Sequence, residues 1–305
     1  MSGLLLLAPP DAIEVIDTAR CAVGECPLWD HRDGSMYWID VRGPAVHRLA
    51  TNGRKSTWTL DAQVGSIALA RLPSGANGLM LAGYGGFGIF DPSNGTLTPV
   101  ANPEPDRPDN RLNDGRVDRR GRMWAGSLQP GTFAPRGRLW RINPDYSAHM
   151  AIDSLTIPNG IAFSPDNRRL YFTDSATGRI DTCDFDLDDG VISNRRTFVT
   201  LATGRGVADG AAIDIDGCLW SAHFNGWCVT RYDPRGHIDR VINLPVRCVT
   251  SCGFGGAALD TLYITTGAVH LSAAERAQQP LAGCLLAVRV PATGVAETEF
   301  GSESR

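Results

Sequence analysis

The chain has 305 residues, 43% hydrophobic and 20% charged, the balance of a globular protein that can bury a large core. Its net charge of −4 and pI near 5.9 argue against a nucleic-acid partner, which would call for a basic patch. No run approaches the ~18 apolar residues of a membrane span, and the four leucines of MSGLLLLAPPD follow no Lys or Arg, too little for a secretion signal. No membrane partner is expected, and the cytoplasm is the expected location.

Residues 1–11 read as a loosely ordered segment, followed by a strand-like AIEVIDTAR at 12–20. A unit then recurs to the end of the chain. Each copy opens on a polar residue and Gly, runs through an alternating apolar stretch, turns at Asp, Pro or Gly, and continues into a second apolar stretch with a bulky residue at its centre. Tyr37, Met80, Trp124, Tyr171, Trp220 and Tyr263 mark that second stretch, at intervals of 43, 44, 47, 49 and 43. A period of about 45 with several short strands per copy is the signature of propeller blades. Alternation at period two dominates, as in Tyr171-Phe172-Thr173-Asp174. One short helix or turn is expected between Leu271 and Gly283, started by a Ser N-cap and ended by Pro280. The fold class is therefore all-β: a six-bladed β-propeller of four-stranded antiparallel blades around a central channel, in one domain over residues 1–305. A ring must protect its edges, so residues 12–20 are expected to supply the outer strand of the last blade.

The eight cysteines form no C-x-x-C pair and the six histidines no H-x-H or H-x-x-x-H. Reduced, buried thiols are expected rather than a cysteine or histidine metal site. Arg116, Arg119, Arg120 and Arg122 read as a solvated loop around a glycine turn. His223 reads as a structural histidine and Cys252 as an inert thiol.

The residue leading into each inner strand can face the propeller axis. Aligning the copies puts Glu25, Val64, Asp114, Asn159, Asp209 and Cys252 at or next to that position, and four of the six carry side-chain oxygens. Oxygens from separate blades can together hold a hard cation. Taken singly, Asn159-Gly160 and Asp209-Gly210 are ordinary turn dipeptides. Glu25 stands apart, because it enters an apolar strand where an unpaired carboxylate is costly.

Six segments in order carry a resemblance: GECPLWD at 24–30, YWID at 37–40, RPDNRLNDGRVDRRGRMWAGS at 107–127, IPNGIAFSPDNRRLYFTDS at 157–175, VADGAAIDIDGCLWSA at 207–222 and CGFGGAALDTLYITT at 252–266. On these the chain resembles the senescence marker protein, gluconolactonase and regucalcin family along nearly its whole length, with bacterial sugar lactonases of the xylonolactonase and gluconolactonase type nearest. The resemblance implies one divalent metal in the channel, held by Glu25, Asn159 and Asp209, with Ca, Zn, Fe(II), Mn and Mg all open. It implies that Arg111 and Asn113 contact the sugar. Relatives carry an acid shortly after the motif that matches Gly126-Ser127-Leu128; this chain has none there, and Gln129 is the candidate replacement.

The activity implied is metal-dependent hydrolysis of a sugar-derived lactone to its aldonic acid. Asp209 is the expected general base as well as a ligand, the rival being a water deprotonated by the cation. Without the resemblance, Arg111 reads as a surface ion pair with Asp106 or Asp109. Two other functions stay open: a metal-dependent esterase or organophosphate hydrolase, and a non-catalytic calcium-binding propeller. The partner expected is a small-molecule sugar lactone, and the protein is expected to be a monomer or small homo-oligomer.

Overall fold

Every apolar repeat becomes a strand, because each can bury only one face against its neighbour and must stack to complete a core. The computed structural model describes residues 5–6 and 13–302. Six antiparallel sheets follow one another along the chain, with inner strands at Gly24–Asp30, Val64–Arg71, Arg111–Val117, Pro158–Phe163, Val207–Ile213 and Val249–Gly255. This is a six-bladed β-propeller. All six bulky markers lie on second strands, where Trp124, Trp220, Tyr37 and Tyr171 are among the largest fully buried side chains. Each such burial contributes roughly 1.5–3 kcal/mol.

The hairpins at one end of the channel are built by a repeated device. Asp118 accepts from the backbone N–H of Arg120 and Arg122 and from the indole of Trp124 (2.9 Å). Asp214 does the same for Asp216, Cys218 and Trp220. Each aspartate thus folds its own turn and pins the next strand's core tryptophan.

The ring closes as expected. Glu14–Asp17 pairs antiparallel with Leu285–Arg289 as the outer strand of blade 6, so chain start and chain end share one sheet. A fifth strand was not anticipated. Leu5–Leu6 pairs in parallel with Arg240 and Val241 on the outer edge of blade 5, so part of the segment read as loosely ordered is a strand. An outer edge offers unpaired backbone groups that any nearby segment can satisfy. The remainder of that segment, residues 1–4 and 7–11, lies outside the described residues. Ala273–Gln278 forms a short helix inside the expected 271–283 stretch, with Ser272 and Glu275 in a reciprocal capping box.

The C-terminal segment crosses the channel at the Asp118 end. Ile215 N–H donates to Thr293, Val295 to Ile213, Phe300 to Leu69 and Gly301 to Gly121. Arg32 and Arg71 clamp Glu299, and Arg116 inside the ring pairs with Glu297. This corrects the reading of Arg116 and Arg122 as part of a solvated loop, while Arg120 is exposed. Arg122 is buried against Asp118, and Arg116 also donates to the Ile161 and Ala211 carbonyls. No helix among the described residues is long and apolar enough to cross a membrane.

Candidate active site

Each inner strand carries a register shift near its start, at the end of the channel opposite the C-terminal segment. A bulge re-aims side chains out of the pleat, and here it turns polar residues toward the axis. In blade 1 the bulge needs a left-handed residue, and Cys26 takes it at φ 51; in blade 4 Gly160 does so at φ 60. A Cβ on Gly160 would also stand 2.8 Å from the Asp209 carbonyl, so glycine there lets blades 4 and 5 approach.

The strands are held in place by acids at the ends of second strands. Asp40 of YWID accepts from Ala22 and Val23 N–H, just before Glu25. Asp174 of YFTD accepts from Thr156 and Ile157 N–H, just before Asn159. In blade 5 the corresponding place on the second strand, opposite Ala208, is held by His223, whose Nδ1 lies 3.0 Å from the Arg205 carbonyl. A carbonyl only accepts, so Nδ1 carries the proton and Nε2 is left to accept from Tyr232 OH at 3.4 Å. Burial holds this imidazole down at about 4, so it is neutral at pH 7.

Glu25, Asp209 and Asp114 lie close enough to repel one another. Burial, then Asp209 and Asp114, push the Glu25 carboxyl well above the usual range, and Arg111 opposes this. Burial and then Asp114 raise Asp209. Asp114 is raised by burial and drawn back by Arg116 and by the N–H groups of Ile161, Gly115 and Gly160. Its carboxylate thereby ties blade 3 to blade 4, through Gly115 N–H at 2.9 Å and Ile161 N–H at 3.1 Å.

Asn159 is buried. Its Nδ2 donates to Ser175 Oγ (3.0 Å), and Ser175 in turn donates to the Ala208 carbonyl (2.6 Å). That fixes the amide so that Oδ1 faces Asn113, whose Nδ2 donates to it at 2.5 Å. Asn113 also donates to the Pro158 carbonyl and accepts from Arg111 at 2.8 Å. Arg111 is buried and forms no ion pair with Asp106 or Asp109; Asp106 pairs instead with Arg107 and Arg138. The guanidinium of Arg111 packs over Gly65, where a Cβ would lie 2.4 Å from it. Its Nε has no partner among the described residues, and desolvation lowers Arg111 to about 10.

Two positions fall outside this cluster. Gln129 follows the second strand of blade 3, is only partly buried, and makes no hydrogen bond among the described residues. Cys252 lies beyond its strand's register shift, opposite Ile264. The blade 6 residue at the shift is Thr250, whose hydroxyl donates to the Gly24 carbonyl at 2.5 Å. Asp40, Asp174, Ser175 and His223 were not singled out as site-builders. The recurring aspartate that closes YWID and YFTD was the available signal for the first two. Glu104 is a further buried acid near the missing one: it accepts from Ser127 Oγ (3.0 Å) and Asn110 Nδ2 (3.1 Å).

The donor set suits a hard cation. Two carboxylates meet in a buried channel, and Arg111, the cation that acts on Glu25, gives one N–H from each terminal nitrogen to Leu112 and Asn113. A third oxygen, that of Asn159, is oriented by the hydrogen bond its Nδ2 donates to Ser175. Among the described residues no three His, Cys, Asp or Glu side chains are spaced to hold a metal ion, so such a cation would rest on two acids and this amide.

A family model described as "SMP-30/Gluconolactonase/LRE-like region" matches residues 23–268. The chain is 36% identical over 292 residues to a 6-deoxy-6-sulfogluconolactonase of Pseudomonas putida, covering 93% of this chain and 99% of that one. It is 32% identical over 296 residues to regucalcin of Xenopus laevis, covering 94% and 98%. Among solved structures, a calcium-binding protein, regucalcin, from Agrobacterium tumefaciens superposes with a TM-score of 0.88 at 26% identity, over 94% of this chain and 96% of that one. The chain belongs to the SMP-30/gluconolactonase/LRE-like family.

Proposed function

We propose that this protein is a carboxylic-ester hydrolase that opens a sugar lactone to its aldonic acid with the help of one divalent cation in the channel. The observation that carries the reading is the pair of mutually repelling, buried carboxylates, Glu25 and Asp209, delivered to the same channel mouth as the buried Asn159 amide. Burying two like charges without a counter-charge is costly, and a cation relieves it. Glu25, Asn159 and Asp209 would hold that cation. All-oxygen donors favour Ca, Mg or Mn, while Zn and Fe(II) also accept carboxylates. The regucalcin relatives, one of them named a calcium-binding protein, give calcium support. When bound, the cation supplies Lewis acidity at the lactone carbonyl and charge stabilisation as that oxygen becomes anionic.

The chain's own residues do the rest. Asp209 accepts the proton of the attacking water with an oxygen not used as a ligand. Arg111, which keeps a further N–H on each terminal nitrogen, presents donors to ring hydroxyls, and Asn113, locked to it, fixes its orientation. The lactonase name of the Pseudomonas relative supports a sugar lactone over other esters.

A pH-stat panel of aldonolactones, aryl esters and fluorophosphates, run on cation-loaded protein and corrected for spontaneous hydrolysis, tests the substrate class. Rates on one or more aldonolactones at least tenfold above the other classes are expected. Preference for an aryl ester or fluorophosphate would assign the site to a different hydrolase.

A further inference from the structure

We propose that a second site, separate from the channel, binds a small phosphomonoester. It is a cavity of about 270 Å³ between the connector leading into blade 1 and the loop that closes blade 6. Among the described residues its polar wall is Arg20, His270, Arg276 and Gln279, the remainder is alanine and valine, and no carboxylate lines it. None of the residues assigned to the cation or the sugar takes part.

Three features point to an anion. Arg20 is exposed and has no ion-pair partner among the described residues, and Arg276 uses only its Nε, on the Leu271 carbonyl. Two guanidinium groups and an imidazole therefore share one cavity without a counter-charge among the described residues. Gln279 is 5% exposed, its Oε1 accepts from Arg247 N–H at 2.7 Å, and its Nε2 has no partner among the described residues. That leaves a free amide donor, on an otherwise buried side chain, lining the same wall. Guanidinium forks match the oxygens of a phosphate, which can accept from several donors at once. The volume approaches the roughly 300 Å³ at the lower end of small-molecule sites. It therefore has room for a short carbon stem against the alanine and valine wall as well as the phosphate.

Calorimetry on chelator-stripped protein tests this, with glycerol 3-phosphate, inorganic phosphate and glycerol as titrants. Saturable binding of glycerol 3-phosphate in the millimolar range or tighter is expected, with inorganic phosphate weaker and glycerol silent. The double variant Arg20→Gln/Arg276→Gln should weaken the ester at least tenfold, whereas Arg54→Gln, an exposed arginine elsewhere, should bind like wild type. If the double variant lowers the thermal midpoint, Arg20→Gln alone is the informative protein, because Arg20 is exposed. The proposal is overturned if no saturable heat appears up to about 20 mM ester. It is equally overturned if the arginine variants bind as wild type does, or if inorganic phosphate binds as tightly as the ester.

Discussion

Asp209 sits where one atom decides between two properties of the molecule. Its carboxylate is buried beside Asp114 and close to Glu25, so in stripped protein it opposes folding, while in the proposed reaction it is indispensable. Asp209→Asn is therefore expected to cut lactone turnover by about 10³-fold or more. The same change should raise, not lower, the thermal midpoint of chelator-treated protein; a fall in both would mark Asp209 as structural. His223 carries a second prediction. Its folded imidazole titrates near 4 against an ordinary value of 6.5. Between these values the unfolded chain binds the additional proton. Stability is then fully present above pH 6.5, declines as pH falls toward 4, and levels below it, by roughly 3 kcal/mol in all. In thermal melts across that range, His223→Gln should flatten the slope; an unchanged slope would assign the acid sensitivity to other groups.

The elements that close the ring make predictions of a different size. Deleting residues 1–20 removes Glu14–Asp17 and bares the edge of Leu285–Arg289, an open strand of the kind that aggregates. Insoluble or oligomeric product is expected by sizing chromatography, and a stable monomer would contradict the closure. At the other end, Phe300 is buried against Tyr146 and the core between blades 2 and 3. Phe300→Ala should cost about 3–5 kcal/mol in denaturant unfolding; a cost below about 1 kcal/mol would show the C-terminal segment to be a loose cover. These elements differ in how far the sequence announced them. The blades were legible because period-two alternation and a recurring bulky residue repeat six times. The closing strand was legible from topology, since a ring must hide its edges. The Leu5–Leu6 strand was not, because two residues carry no periodicity and its partner edge exists only after folding. Arg116 and Arg122 were misread for a related reason: Glu297 near the chain end and the Leu187 carbonyl of blade 4, which they engage, become their neighbours only in the folded ring.

At the scale of the whole molecule, six blades each deliver a strand start to one channel mouth, and three of them deliver the residues proposed to hold a cation. The register of the repeats made Glu25, Asn159 and Asp209 legible as a group, although two of them alone are turn residues. What fixes their geometry was hidden, because Asp40, Asp174 and His223 act through backbone groups of the preceding connector and Ser175 bridges the Asn159 amide to the strand of blade 5. The Asn113–Asn159 bond likewise spans two blades. A cation bound at a hundred times its dissociation constant would add about 2.7 kcal/mol to stability. The most direct test of the account is the initial rate of gluconolactone opening by stripped protein as one divalent cation is titrated in. Negligible rate above background without cation and saturable recovery with the cation, lost in Glu25→Gln, are expected. Full activity in the continued presence of chelator would contradict it.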